Sequence, residues 1–515
     1  MDSSDNVYNR YTDQMQQLEQ FRNTYQSIYS THALEQDDPE VKRLTEALAY
    51  FTAYTQELSK QRIDEMHMHM GQQLHPYLLS PIPAQSILHL NPKKLNSTET
   101  LQQNTSVYLE AEDNTSALFK TVQPVRLLPI LCTSLDIEKT TPTDTSFRLS
   151  FKADQEMTTA PEHLPLYINM DHHFERSIGL LYQLKEAVET MYVCYDNNPQ
   201  NIYKIQLFQP ERPTFGLNPI EYLRHQFHFP FSQSFLYLKL AHAPAKWNAF
   251  SIHFKLKKSV IEKRLTKECF KLFCTPIINL REEATKDFFV DGTKSSYTIH
   301  QPELDDKLAL HSVKSVYYKQ GKRYFPLHIS SIRSGENTYA LSDIHGTEPT
   351  LDIHMPHAFT DPKVVSADAR WYQPEFGKSF WQRITVSSYD VEIAGVDWEL
   401  TSERQPHLNH SETDATFSLK EILSLHTGDQ VSPRYLRQLF YVLSSQCASE
   451  FKPIISAFTE IVSMSEDSHF QLRFNGIKQT DARLTLFVSL FQNFINEWFE
   501  SKNYHLTTLC TEKMD

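Results

Sequence analysis

The chain has 515 residues, with 50 Lys and Arg against 63 Asp and Glu for a formal charge of −13; it is long enough for about three domains and lacks the basic surface that duplex nucleic acid requires. Only 11 glycines occur, and the closest pair, Gly335 and Gly346, is 11 residues apart. That excludes the dinucleotide-binding turn, the Walker A loop and the nucleophile elbow, each of which needs two glycines within about six positions.

The first eighty residues predict helices. Tyr11, Met15, Leu18, Phe21, Tyr25 and Ile28 recur at steps of three and four and so share a face. The opening stretch is polar, with Asp2 and Asp5 where a signal peptide needs a basic and then an apolar run. A turn is expected over 34–38, and Asp38-Pro39 is a helix start, aspartate as cap and proline in the first turn. Val41, Leu44, Leu48, Phe51 and Leu58 form a second stripe. Two such stripes can close on each other as a hairpin or pair with helices of a partner. Tyr11, Leu18, Tyr25, Val41, Leu44, Leu48 and Phe51 are therefore the candidate interface residues.

From Pro81 the period changes to two, as in Phe147, Leu149 and Phe151, in Tyr167-Ile168 and over 202–208. Residues 91–118 and 138–146, rich in Ser, Thr and Asn, read as loops. Residues 177–190 and 219–227 read as short helices, and 235–240 and 250–256 as strands. Between 300 and 400 short strands are expected to alternate with turns at Gly321, Gly335, Gly346 and Gly377. Near the end, Leu484, Phe487, Val488, Phe491, Ile495 and Trp498 lie on one face of a helix that comes after a strand at 470–474. A strand over 505–509 would then complete a β-α-β unit. The fold class is α+β: a helical segment (1–80), a β-rich central domain (81–300), a β-rich domain (301–405) and a C-terminal α/β domain (406–515). No run of about 18 apolar residues predicts a transmembrane helix.

Chemistry-bearing residues are sparse. Cys132, Cys194, Cys269, Cys274, Cys447 and Cys510 show no C-x-x-C spacing, so neither a zinc knuckle nor a disulfide framework is indicated. His67 and His69 are two apart, and on a helix such side chains diverge and cannot share an ion. Asp171-His172-His173-Phe174-Glu175 has ligand chemistry but sits where a strand gives way to a helix, and Asp171 reads as a cap. His407 and His410 would face one ion only if helical, and no Glu-x-x-His context supports them. Asp305-Asp306 reads as a solvated turn. Lys255, Lys257, Lys258, Lys263, Arg264 and Lys267 form the one marked basic cluster, read as a solvated face. Lys314, Tyr317, Tyr318, Lys319, Lys322, Arg323 and Tyr324 mix bases with aromatics as single-strand binders do, but read better as an edge strand guarded by lysines.

Several strings together identify a family. They are Asp38 through Leu44, Glu46-Ala47 through Phe51, Leu74-His75-Pro76-Tyr77 through Pro83, Pro165-Leu166-Tyr167-Ile168 before Leu180-Leu181-Tyr182, Glu221-Tyr222-Leu223 through Tyr237, Cys274-Thr275-Pro276-Ile277-Ile278-Asn279-Leu280, and Leu484 through Phe494. With them the chain resembles the TssF family, baseplate subunits of bacterial type VI secretion systems, themselves similar to a phage baseplate wedge protein. Departures are Arg281 in place of Phe, the inverted order His75-Pro76, a single glycine, Gly216, near 213–219, and little match over 300–400.

The resemblance implies a scaffold without catalytic, cofactor or metal residues. It implies two copies associating with one TssG, joined by TssK and TssE around the spike hub to support sheath assembly. The expected location is the bacterial cytoplasm, at the cytoplasmic side of the membrane-anchored apparatus, with no nucleic acid bound and no membrane insertion. The rival readings are a metal- or carboxylate-dependent hydrolase built on the β-rich middle and a carbohydrate- or peptide-binding β module.

Overall fold

The computed structural model describes residues 3–28, 39–74, 76–141, 144–210, 217–257, 265–302, 308–330, 337–342, 349–408, 431–464, 468–499 and 503–511. The chain divides into two compact units, Met1–Leu74 and His75–Asp515. The architecture is α+β, helical at the N-terminus and dominated by antiparallel sheets in the rest of the chain.

The first unit is a pair of packed helices, α1 (Ser3–Ile28) and α2 (Pro39–Leu74). Proline occupies the first position of α2 and Glu40 its first turn, where a carboxylate favours the helix dipole. The expected turn at 34–38 and its cap Asp38 lie outside the described residues.

The second unit is built on a six-stranded antiparallel sheet in the order Ile384–Ser388, Ser106–Ala111, Ser116–Thr121, Cys274–Ile278, Gln85–Pro92, Val396–Gln405. Beside it stand a five-stranded sheet centred on Thr145–Met157 and Trp247–Leu256 and a four-stranded sheet centred on Glu162–Ile168 and Phe235–Leu240. Phe147, Leu149 and Phe151 point inward as their alternation predicts, with Phe147 stacked on Phe254 at 4.6 Å and Phe151 on Phe250 at 4.8 Å. Helix Pro219–His228 starts from a capping box: the Asn218 side chain accepts from Ile220 N at 2.9 Å, and Glu221 accepts from Asn218 N at 3.3 Å.

The chain leaves the six-stranded sheet after Ile278 and returns at Ile384. Between these points lies a module with its own apolar core, including Val316, Leu351, Val365, Ala367 and Trp371. Its two connections are stapled together. Asn279 donates to Leu118 O at 2.9 Å, Gln373 N donates to Asn279 Oδ1 at 2.7 Å, and Leu118 N donates to Gln373 Oε1 at 2.9 Å.

At the C-terminus, strand His469–Asn475, helix Ala482–Trp498 and strand His505–Thr511 form the predicted β-α-β unit, with the two strands parallel. Leu484, Phe487, Phe491 and Ile495 are fully buried, and Trp498 is half-buried.

Five expectations are corrected. Residues 91–118 are not a loop but hold strands Glu99–Leu101 and Ser106–Ala111 and the start of Ser116–Thr121; 138–146 likewise is mostly strand, since Ile130–Thr140 and Thr145–Met157 enter it. The abundant Ser, Thr and Asn concealed a period-two signal, Val107 and Leu109 against Ala117 and Phe119, all buried; threonine itself suits a pleated surface. The strands of 300–400 are not all short: Ala309–Gln320 and Lys363–Tyr372 have 12 and 10 residues, and two breaks in their pairing register interrupt the alternation that would reveal them. Gly321 does turn the chain, at φ 64°, whereas Gly377 lies within the short helix Phe376–Ser379. Gly335 and Gly346 lie outside the described residues. The helix expected over 177–190 instead spans Phe174–Ala187 and passes directly into strand Val188–Tyr195.

Candidate functional site

The two helices of the first unit sort the candidate interface residues into different surfaces. On α1, Tyr11, Met15 and Leu18 are half-buried. On α2, Ala49, Ala53 and Glu57 are buried, spaced by four, and Arg10 meets Glu57 at 2.6 Å between the helices. The second apolar stripe faces elsewhere: Leu44 is 71% exposed, Leu48 54% and Phe51 68%. At about 100° per residue, Leu44, Ala47, Phe51, Tyr54 and Leu58 fall roughly opposite Ala49 and Ala53. Their steps of three and four match the a and d positions of a coiled-coil seam. Tyr50 and Tyr54, both exposed, stack at 6.3 Å on the same side. The side chains of Tyr25 and Val41 lie outside the described ones. Small residues thus face inward on α2 and large apolar ones outward, the reverse of what a self-sufficient hairpin needs. The signal for Tyr54 was present in the sequence, ten residues after Leu44.

Of the strings that carry the family resemblance, those from Tyr77 onward meet inside the second unit, whereas those at 38–44 and 46–51 belong to the first. Arg224, fully buried on helix Pro219–His228, donates to the carbonyl of Tyr77, to Ser80 Oγ at 3.0 Å, to Ser80 O at 2.9 Å and to Gln446 Oε1 at 2.7 Å. Burial pushes its guanidinium down to about 10, so it stays charged at neutral pH, with Glu221 nearby favouring the charge. Ser80 Oγ in turn donates to Glu221 Oε1 at 3.2 Å, and Arg370 of the inserted module approaches Glu221 at 3.6 Å. Strand Cys274–Ile278 pairs with Gln85–Pro92, and Tyr167 sits opposite Phe235. These strings build the junction of the fold. Sequence reasoning missed Arg224; its trace is an arginine set between Leu223 and Phe227 on a short helix.

The chemical candidates are not assembled into a centre. His172 Nδ1 faces Glu403 Oε1 at 3.0 Å and also the hydroxyl of Ser402, while Asn169 donates to Glu403 at 2.7 Å. A serine relay needs hydroxyl and carboxylate on opposite ring nitrogens. Here both meet the same nitrogen, so no proton can pass through the ring. Asp171 is not the cap expected of it: the helix begins from His173, which makes no side-chain capping bond, and Asp171 and His172 take left-handed conformations at φ 52° and 62°. His407 comes after a strand rather than lying on a helix, and it packs against Gly377 and Tyr372. His410, Asp305 and Asp306 lie outside the described residues, as do the side chains of His67 and His69.

Among the described residues no three His, Cys, Asp or Glu side chains converge as metal ligands. A cleft of about 1240 Å³ beside helix Phe174–Ala187 is lined by Glu175, Arg176, Lys478 and Arg483, but Arg483 is already held by Glu175 at 3.0 Å and by Asp481 at 2.7 Å.

The basic clusters are partly neutralised. Lys255 meets Glu189 at 2.7 Å and Lys314 meets Glu282 at 2.9 Å, while Lys258, Lys263 and Arg264 lie outside the described residues. Ala309–Gln320 turns out to be an inner strand; the edge is Arg323–Pro326, guarded by Arg323 and by a proline that offers no amide.

A family model described as "Type VI secretion system, TssF" matches residues 7–341. Among solved structures, the chain is similar to one in the type VI secretion system TssK-TssF-TssG baseplate subcomplex determined by cryo-electron microscopy. The TM-score is 0.69 at 15% identity, covering 92% of this chain and 96% of that one. It is also similar to a chain in the baseplate complex from the type VI secretion system, with a TM-score of 0.51 at 13% identity, covering 98% and 96%. At these identities the likeness is one of fold. No curated protein matches significantly.

Proposed function

The chain belongs to the TssF family of the type VI secretion system, and from that premise we propose that it is a non-enzymatic scaffold of the baseplate wedge, holding its partners through the outward face of α2. The observation that carries this reading is the exposed Leu44, Leu48 and Phe51 on a helix whose inward face is already filled by Ala49 and Ala53. A seam of a and d residues, with Leu48 on its flank, left open to water is matched by a second helix that covers it. The similar chains in the solved baseplate complexes support TssG-like and TssK-like partners. A TssE-like protein, the spike hub and a second copy of this chain in a two-to-one assembly with the TssG-like subunit are drawn from the family resemblance. Work at the cytoplasmic side of the secretion apparatus is part of the same proposal. It agrees with the observation that, among the described residues, no helix is long and apolar enough to cross a membrane.

The test is the light-scattering mass of the complex co-expressed with its TssG-like and TssK-like subunits, with Leu48→Asp beside the parent. Aspartate in a desolvated seam costs several kcal/mol, comparable with the roughly 8 kcal/mol of a micromolar association. A variant with normal circular dichroism that still gives the full complex would refute the interface.

A further inference from the structure

The basic and aromatic residues of 314–324 are divided between the two faces of a sheet. In the module inserted between Ile278 and Ile384, strands Phe288–Val290, Lys363–Tyr372, Ala309–Gln320 and Arg323–Pro326 lie side by side. Direct cross-strand neighbours share a face. Val365 lies opposite Phe288 and Tyr318, and Tyr318 opposite Phe325. That face belongs to the module core: Val365 and Val316 are fully buried, and Tyr318 stacks on Phe325 at 5.4 Å. One residue along each strand, Val364 lies opposite Phe289 and Lys319, and Lys319 opposite Tyr324. This second row points the other way, with Phe289 59% and Tyr324 61% exposed, Lys319 exposed and Val364 half-buried. Tyr317, half-buried, and Pro326, exposed, face each other in the next row on the same side.

An antiparallel sheet can keep one face in water, but such a face is ordinarily polar. This one carries two large aromatic rings, a valine and a proline. The charges beside it are just as unbalanced. Lys314 is held by Glu282 at 2.9 Å, whereas Lys319, Lys322 and Arg323, all exposed, have no ion-pair partner among the described residues. Lys319 rests over the ring of Tyr324, at 6.0 Å. On a chain of net charge −13, three such cations at one hairpin tip make a local positive field. The other end of the row is different: Asp287, exposed, comes two residues before Phe289, while Asp291 beyond it is taken up by Thr293 at 2.6 Å.

We propose that this outer face is a docking surface for a different protein, one that presents an amphipathic helix with carboxylates along one flank. The free edge beside it is poorly suited to an added strand, because Arg323–Pro326 has only four residues and Pro326 has no amide. A helix laid across the face is the layer that buries such a row. With strands about 4.8 Å apart, Phe289 and Tyr324 are separated by about 14 Å across the row. A helix covers that span in about nine residues, so apolar side chains at i, i+4 and i+8 reach from one ring to the other. Its carboxylates belong over the hairpin end, where they meet Lys319, Lys322 and Arg323, and Asp287 repels them from the opposite end. Single-stranded nucleic acid fits less well, since it needs a basic track with successive stacking rings, and here the row leads from the cations through Val364 and Phe289 toward a carboxylate.

The face belongs to the second unit and its test uses the full chain without wedge partners, so it stands or falls independently of the α2 reading. Two fluorescent helical peptides of about 18 residues, five turns, carry the same leucine stripe, one flanked by glutamates and the other by lysines. In fluorescence anisotropy the glutamate peptide should bind the parent about tenfold more tightly than the lysine peptide. Phe289→Ser combined with Tyr324→Ser should weaken the glutamate peptide by about tenfold or more, and Leu48→Asp on α2 should leave its binding unchanged. Lys319→Glu combined with Lys322→Glu should invert the preference, so that the lysine peptide binds the more tightly. Loss of fold weakens both peptides and cannot produce an inversion, so the charge variant decides alone if the serine variant misfolds by circular dichroism. Equal binding of the two peptides to the parent overturns the proposal, as does a preference that survives in the charge variant or a loss confined to Leu48→Asp. A labelled oligothymidylate that binds this face more tightly than the glutamate peptide overturns it as well.

Discussion

Replacing Arg224 by Met tests whether the junction of the second unit is held by that fully buried guanidinium. Methionine keeps much of the volume but removes the guanidinium donor from the Ser80 carbonyl and the Gln446 amide oxygen, and one bond from the Tyr77 carbonyl. Each orphaned buried acceptor costs roughly 1–3 kcal/mol. Removing the buried charge returns part of that, since a guanidinium taken out of water is itself unfavourable. Glu221 keeps Asn218 N, Ser80 and Arg370 as neighbours and is not stranded. The balance is a loss of about 3–5 kcal/mol, the range seen when one member of a buried polar cluster is removed. Guanidinium unfolding followed by tryptophan fluorescence should show the midpoint of the second unit fall by roughly 0.5–1 M. Arg224→Lys should recover only part of it, because an ammonium cannot reach the acceptors that the planar fork spans. An unchanged midpoint for Arg224→Met would refute the reasoning, and an equal recovery by lysine would refute the geometric part of it.

Phe491→Ala, at a fully buried position, should cost about 3–5 kcal/mol, and Trp498→Ala, half-buried with its indole donating to Tyr435 at 3.1 Å, about 2 kcal/mol; unchanged denaturation midpoints would contradict both. Alanine at His172, His173 and His407 should leave the co-expressed complex at full mass and free of stoichiometric zinc by elemental analysis, because no relay or ligand set links these residues. Burial pushes His228 and His89 down from 6.5 to about 4, in His89 with help from nearby Lys271. The unfolded chain therefore binds protons that the folded chain refuses between those values, and stability present above pH 6.5 is lost as pH falls toward 4, about 3 kcal/mol for each histidine. Denaturation midpoints measured from pH 7 to pH 4.5 should fall, and His228→Asn should flatten the slope; an identical slope in that variant would exclude His228 as a source.

What was legible in the sequence was local. Steps of three and four located the Ala482–Trp498 helix, and the apolar run read as a strand over 235–240 is Phe235–Leu240. The β-α-β unit was readable because helix and flanking strands are contiguous. Illegible were features decided by distant partners. Strand Val396–Gln405 pairs with Gln85–Pro92 across some 300 residues of intervening chain, and no local pattern encodes that. The α2 stripe shows the same limit: the sequence announces an apolar face, but only the burial of Ala49 and Ala53 shows that another face is the filled one. Arg224 was hidden because its four acceptors come from Tyr77, Ser80 and Gln446, parts of the chain that no spacing connects.

Residues within the family strings are under two different physical constraints. Arg224, Glu221 and Asn279 are buried polar groups whose partners are fixed in number and direction, so few replacements satisfy the same geometry. Leu44, Leu48 and Phe51 are exposed and need only be apolar at the right steps for a helix to pack on them. A fold that stays similar at 15% identity, with a TM-score of 0.69, is compatible with such a division: the buried junction fixes the frame, and the proposed α2 interface asks only for apolar side chains. The family strings therefore fall on both kinds of surface in this protein, the buried junction around Arg224 and the outward face of α2.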